Sequence, residues 1–135
     1  MASDQEKKLI LVIDDEPDVV TYLRTFFENH GYATVTATDG HEALARVKEK
    51  KPDLITLDIS MPGKSGIKFY REVKGDPDLS NIPVLVITGV TGFGGSSEDF
   101  RKFLSSRKQV PPPEGFFGKP LDMDKLLDEV KRLLA

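Results

Sequence analysis

Three carboxylates, a hydroxyl and an ammonium fall at the ends of apolar runs in this chain. Asp58 follows Leu54-Ile55-Thr56-Leu57 and precedes Ile59-Ser60-Met61-Pro62. Asp14-Asp15 ends Leu9-Ile10-Leu11-Val12-Ile13, Thr88-Gly89 ends Val84-Leu85-Val86-Ile87, and Lys119-Pro120 ends Gly115-Phe116-Phe117-Gly118. Read as buried strands of one parallel sheet, the four runs bring these groups to the carboxyl edge, where open α/β sheets bind ligands. Like charges about 4 Å apart repel by roughly 4 kcal/mol at an effective dielectric of 20. Three clustered carboxylates therefore need a cation or a retained proton. Magnesium, with manganese as an alternative, suits hard oxygen ligands and keeps waters that a phosphate can replace. A carboxylate can also act as a nucleophile and become an aspartyl phosphate. A lysine ammonium, a threonine hydroxyl and a backbone N–H then suit the three phosphoryl oxygens. Lys119, Thr88 and the amide of Gly89 are of those types, and a glycine leaves room for close approach.

The elements that must position these groups alternate along the chain. Pro17 and Asp18 suit the first turn of a helix. Val19, Val20, Leu23, Phe26 and Phe27 then recur at helical spacing, and Gly31 suits a left-handed cap. Residues 32–37 read as a strand, Asp39-Gly40 as a turn, and residues 41–50 as a helix with Ala43, Leu44 and Val47 inward. Gly63 to Gly66 reads as a loop before a helix carrying Ile67, Phe69, Tyr70 and Val73. Asp122 suits the cap of a last helix to Leu134, with Met123, Leu126, Leu127, Val130, Leu133 and Leu134 on its core side. Five strands alternating with about five helices predict an α/β fold: a doubly wound five-stranded parallel sheet of flavodoxin-like order, with helices on both faces.

One stretch, residues 90–114, breaks the rhythm. Its Gly- and Ser-rich opening reads as a hinge, residues 98–106 as a short helix, and Pro111-Pro112-Pro113 as a stiff extended segment. Its glycines match neither a dinucleotide fingerprint nor a P-loop.

A length of 135 residues suits one domain, here residues 9–135 behind a polar tail of residues 1–8. With no cysteine, disulfides, thiolate metal sites and a Cys nucleophile are excluded. The net charge of −3 and the lack of a basic stripe argue against nucleic-acid binding. No segment has membrane-spanning length and the start lacks a signal-peptide core, so the cytoplasm is the expected location. His30 and His41 lack helical pairing, which argues against zinc.

As an ordered set, Asp14-Asp15, Asp58 with Met61-Pro62, Thr88-Gly89 and Lys119-Pro120 resemble the receiver domain of two-component response regulators, across nearly the whole chain. The resemblance implies that Asp58 is the phosphoacceptor. It implies that Asp14, Asp15, Asp58 and the Ser60 carbonyl bind magnesium, Asp14 mainly through water. Thr88, Gly89 and Lys119 would contact the phosphoryl group, and Phe116 would be the switch aromatic. It further implies a phosphorylation-activated signalling switch of a two-component phosphorelay. The switch takes its phosphoryl group from a sensor histidine kinase or a histidine phosphotransfer protein, and catalyses only its own phosphorylation and dephosphorylation. The face around strand five and its flanking helices would meet an output protein of unread identity. The protein would be a stand-alone regulator or an excised receiver, and a monomer or a weak phosphorylation-dependent dimer. The chain departs from the family pattern at residues 88–119, where Pro-Pro-Pro-Glu-Gly replaces a Gly-Ala-Asp-like approach. A specialised partner surface or a mobile lid is expected there.

Singly, each residue has a plainer reading. The acid pair favours a helix N-terminus, Thr88 is an ordinary strand residue, Lys119 a solvated lysine and Phe116 a core residue. Other functions also stand open: a small magnesium-dependent phosphatase of haloacid-dehalogenase type, a flavodoxin-like cofactor binder, or a receiver that signals by docking only. The first normally has Asp-x-Asp on strand one, where this chain has adjacent acids.

Overall fold

A computed structural model describes residues 7–59, 65–88, 113–119 and 121–135, with backbone only at Ser65 and Thr88. Five parallel strands form one sheet: β1 Leu9–Ile13, β2 Ala33–Ala37, β3 Leu54–Asp58, β4 Val84–Thr88 and β5 Gly115–Gly118, in the order β2-β1-β3-β4-β5. The helices among the described residues are α1 Pro17–Asn29, α2 Gly40–Glu49, α3 Ser65–Gly75 and α4 Met123–Leu134. The strand order is the expected flavodoxin-like one. The helix expected at residues 98–106 lies outside the described residues.

β1, β3 and β4 are apolar on both sides because helices cover both sides. Leu11, Ile13, Ile55, Leu57, Val84 and Val86 pack with Ala43 and Val47 of α2 and with Phe69, Tyr70 and Val73 of α3. On the opposite face, Ile10, Val12, Leu54, Leu85 and Ile87 meet Leu23 and Phe27 of α1 and Leu126 and Val130 of α4. Period-two alternation thus splits each strand between two cores. Truncating a fully buried ring such as Phe27 would remove about 3–5 kcal/mol. Within this apolar centre Thr56 is fully buried, and its Oγ1 has no hydrogen-bond partner among the described residues.

Local chemistry explains the helix ends. Pro17 takes the first position of α1, and Gly31 beyond its end has φ 92°, the left-handed conformation a glycine adopts without strain. Asp39 is not the first half of a turn as expected; it caps α2 by accepting from the Glu42 N–H at 2.7 Å, which makes Gly40 helical. Asp122 caps α4 through the Lys125 N–H at 3.2 Å. Gly66 belongs to α3 and not to the preceding loop. β5 also departs from the buried strand expected. It is the edge strand, and its residues are half-buried or exposed.

Candidate functional site

The register of the central strands brings the acids together. β1 and β3 pair in parallel with Ile13 opposite Leu57, so Asp14 and Asp58 leave adjacent strands at the same level. The Asp14 N–H donates to the Ala37 carbonyl at 3.2 Å and the Ile59 N–H to the Ile87 carbonyl at 3.0 Å. Both ladders therefore run on past the formal strand ends and hold the backbone beside each carboxylate. Asp14 and Asp58 are each about 1% exposed, whereas Asp15 faces solvent. Carboxylate oxygens of Asp14, Asp15 and Asp58 lie within 4.8 Å of one another.

Lys119 enters this cluster from the end of β5. Its Nζ donates to Asp14 Oδ2 at 3.0 Å and to Asp58 Oδ2 at 3.2 Å, and stands 3.6 Å from Glu16 Oε1. The Glu16 N–H donates to the other Asp14 oxygen at 3.0 Å. Burial pushes the Asp14 carboxyl up to about 6. The Asp58 charge adds to that rise, while the Glu16 N–H and the Lys119 ammonium oppose it. For Lys119, burial works against the charged form, but the hydrogen bonds and charges of Asp14 and Asp58 outweigh it and raise its pKa above the usual lysine value. Among the described residues, one cation thus serves two buried acids, with an exposed third and a fourth in Glu16, so the acids outnumber it. Its donors are hard oxygens in the number and closeness that a divalent cation of the magnesium class requires.

Thr88 closes β4 opposite Gly118, beside the Asp58 strand. Its hydroxyl, together with Ser60 and Gly89, lies outside what is described. Phe116 pairs with Val86 and is half-buried against the core beneath α2 and α3, and Phe117 packs on the other face. Beside Lys119 a groove of about 410 Å3 is lined by Asp18, Val19, Tyr22, Lys119, Leu121 and Met123. Tyr22 is the large apolar side chain most exposed among the described residues. The sequence reading missed this groove, because α1 shows Tyr22 as one polar-faced position among many. It also missed Lys74, a buried cation that no periodicity distinguishes from a solvated lysine at a helix end.

These acids at the carboxyl edge of a 2-1-3-4-5 sheet, spanned by a lysine from the last strand, define a phosphorylation-controlled signalling module. Residues 10–131 match the response regulator receiver domain, and the chain belongs to that family. It is a receiver of a two-component system, a class of signalling switches and not of metabolic enzymes. Protein Rrf1 of Nitratidesulfovibrio vulgaris is 32% identical over 93% of this chain and 82% of its own length. Protein PilH of Pseudomonas aeruginosa is 29% identical over 93% of this chain and 97% of its own length. Among solved structures, the signal receiver domain of a signal transduction histidine kinase from Syntrophus aciditrophicus superposes with a TM-score of 0.78 at 32% identity, covering 94% of this chain and 89% of that one. Family membership sets aside the phosphatase and flavin-binder readings. No helix among the described residues is long and apolar enough to cross a membrane.

Proposed function

We propose that residues 9–135 form the receiver unit and that Asp58 is its phosphoacceptor. The observation that carries this is a buried Asp58 carboxylate sharing one ammonium with a second buried acid. One Asp58 oxygen attacks the phosphorus of a donor phosphohistidine. The P–N bond breaks, its electron pair leaves with the imidazole, and the imidazole takes up a proton. Water later cleaves the aspartyl phosphate, releasing inorganic phosphate and restoring the carboxylate. Asp14, Asp15, Asp58 and the Ser60 carbonyl would hold magnesium, or manganese in its place. Once bound, the ion supplies positive charge to the transferring group's oxygens. Lys119 is already within hydrogen-bond distance of the acceptor and moves its contact to a phosphoryl oxygen, with Thr88 and the Gly89 amide on the others. Phe116 responds as the switch aromatic.

The donor is a sensor histidine kinase or a histidine phosphotransfer protein, acting in the cytoplasm. The groove of Val19, Tyr22, Leu121 and Met123 beside Lys119 offers such a protein an apolar footing next to the acceptor. The protein acts on itself only.

The test is intact mass after incubation with magnesium and acetyl phosphate, for wild type beside Asp58→Asn. Gain of one phosphoryl group by the wild type alone is the expected result. Gain by both would move the acceptor elsewhere. Gain by neither, in folded protein that binds magnesium, would leave a docking-only receiver.

A further inference from the structure

At the edge of the sheet opposite the acids, a second lysine is enclosed. The Lys74 side chain is 1% exposed, near the end of α3. Its Nζ donates to the Ile82 carbonyl at 3.1 Å, to the Ser80 carbonyl at 3.3 Å, and to Glu114 at 3.1 Å (Oε1) and 3.3 Å (Oε2). Glu114 Oε1 also accepts from the Val84 N–H at 2.7 Å, while the Glu114 N–H donates to the Val84 carbonyl at 3.0 Å. Both main-chain groups of Val84, the first residue of β4, are thus held by Glu114, the residue before β5.

β5 needs this anchor. It reads Gly-Phe-Phe-Gly, lies on the edge and, among the described residues, pairs with β4 alone. A short glycine-flanked strand has a weakly specified register, and a slip of one residue would exchange the faces of Phe116 and Phe117. No tight turn fixes that register, because β5 is joined to β4 by a long parallel crossover. Lys119 follows five positions after Glu114, which is roughly 17 Å along an extended chain. Where Glu114 is held therefore decides where the Lys119 ammonium arrives.

We propose that Lys74 and Glu114 are positioning residues for phosphoryl transfer. By locking β5 to β4 at the far edge of the sheet, they place Lys119 within reach of Asp58. The inference rests on the receiver reading given above. It predicts a split, because the acids are carried by β1 and β3 while only the Lys119 ammonium is carried by β5.

Glu114→Ala removes both the ion-pair partner and the Val84 acceptor. Its rate of phosphorylation by acetyl phosphate is expected to fall roughly 10–100-fold, the loss that a misplacement of about 1 Å produces. Its magnesium affinity should not fall, because the acids stay on β1 and β3 and lose only the competing Lys119 ammonium. Glu114→Gln keeps an oxygen for the Val84 N–H and should recover most of the rate. Amides of Phe116 to Gly118 should exchange hydrogen faster in Glu114→Ala, with those of β1 and β3 unchanged. If Glu114→Ala does not fold, Lys74→Met carries the same measurements, keeping the apolar stem and the Glu114–Val84 contact. Wild-type rates in the variant, or rate and magnesium affinity falling together, would overturn the proposal. The exchange measurement stands without activity: a wild type that gains no phosphoryl group sinks the receiver chemistry, whereas unchanged β5 exchange in the variant sinks the lock.

Discussion

Two lysines hold the two edges of the sheet in different ways. Lys74 has one acid and two backbone carbonyls, and is closed from solvent. Lys119 has two buried acids and Glu16 within 3.6 Å, and its side chain is 22% exposed. Among the described residues the first network is balanced, while the second has more acids than cations and an open side. A buried ion pair with its remaining hydrogen bonds satisfied fixes geometry. A buried excess of acid, in contrast, weakens the fold until something positive arrives. Partner number separates a structural charge from a poised one where distance does not, since the shortest lysine–carboxylate contacts at the two sites are 3.1 and 3.0 Å.

Several measurements would break or sharpen that contrast. The largest effect is expected at the balanced site. Glu114→Ala leaves a buried ammonium with carbonyls only and should lower stability by about 3 kcal/mol in urea unfolding, within the range for breaking buried pairs. A loss below about 0.5 kcal/mol, as surface pairs give, would show that Lys74 escapes to solvent. At the poised site, magnesium at a hundred times its dissociation constant should add about 2.7 kcal/mol to wild type. Thermal melts with and without the ion measure this, and Asp14→Asn should lose most of the gain.

Asp14→Asn should itself stabilise the apo protein at pH 7.5 by about 1–2 kcal/mol. Each unit of pKa shift is worth about 1.4 kcal/mol, and the lost Lys119 contact offsets part of the gain. The sign follows from the folded carboxyl titrating at about 6 against 3.8 in the ordinary state. The folded state binds the proton more tightly, so ionised Asp14 weakens the fold fully above about 6 and not at all below 3.8. The advantage of the asparagine should therefore shrink as pH falls through that window, and an advantage constant with pH would contradict the surplus-charge account. The smallest effect is at Thr56→Val. It removes an unpartnered buried hydroxyl while keeping shape, and should change stability by less than about 1 kcal/mol, in the stabilising direction.

The fold was legible because its signals are local and repeated. Apolar runs of strand length, Pro17 and Gly31 around α1, and the cap Asp122 each act within a few residues. The clustering of Asp14, Asp58 and Lys119 was legible as a set, since all three stand at the carboxyl ends of strands of one parallel sheet. What sequence could not supply was partnership across the chain. Lys74 and Glu114 lie forty residues apart, as do no members of a helical pair. Nothing in the neighbours of Lys74 marks it as buried. Asp39 was misread for a related reason: Asp-Gly suits a turn and a helix cap equally, and the Glu42 N–H decided between them. β5 looked buried because phenylalanines usually are, yet strand order put it at the margin.

That marginal place has a mechanical consequence. Asp58 stands on a central strand paired on both sides, while the Lys119 ammonium that meets it follows a strand paired on one side among the described residues. A new charge at Asp58 would therefore pull against a stiff beam at one end and a hinged slat at the other, and the slat would be the part to yield.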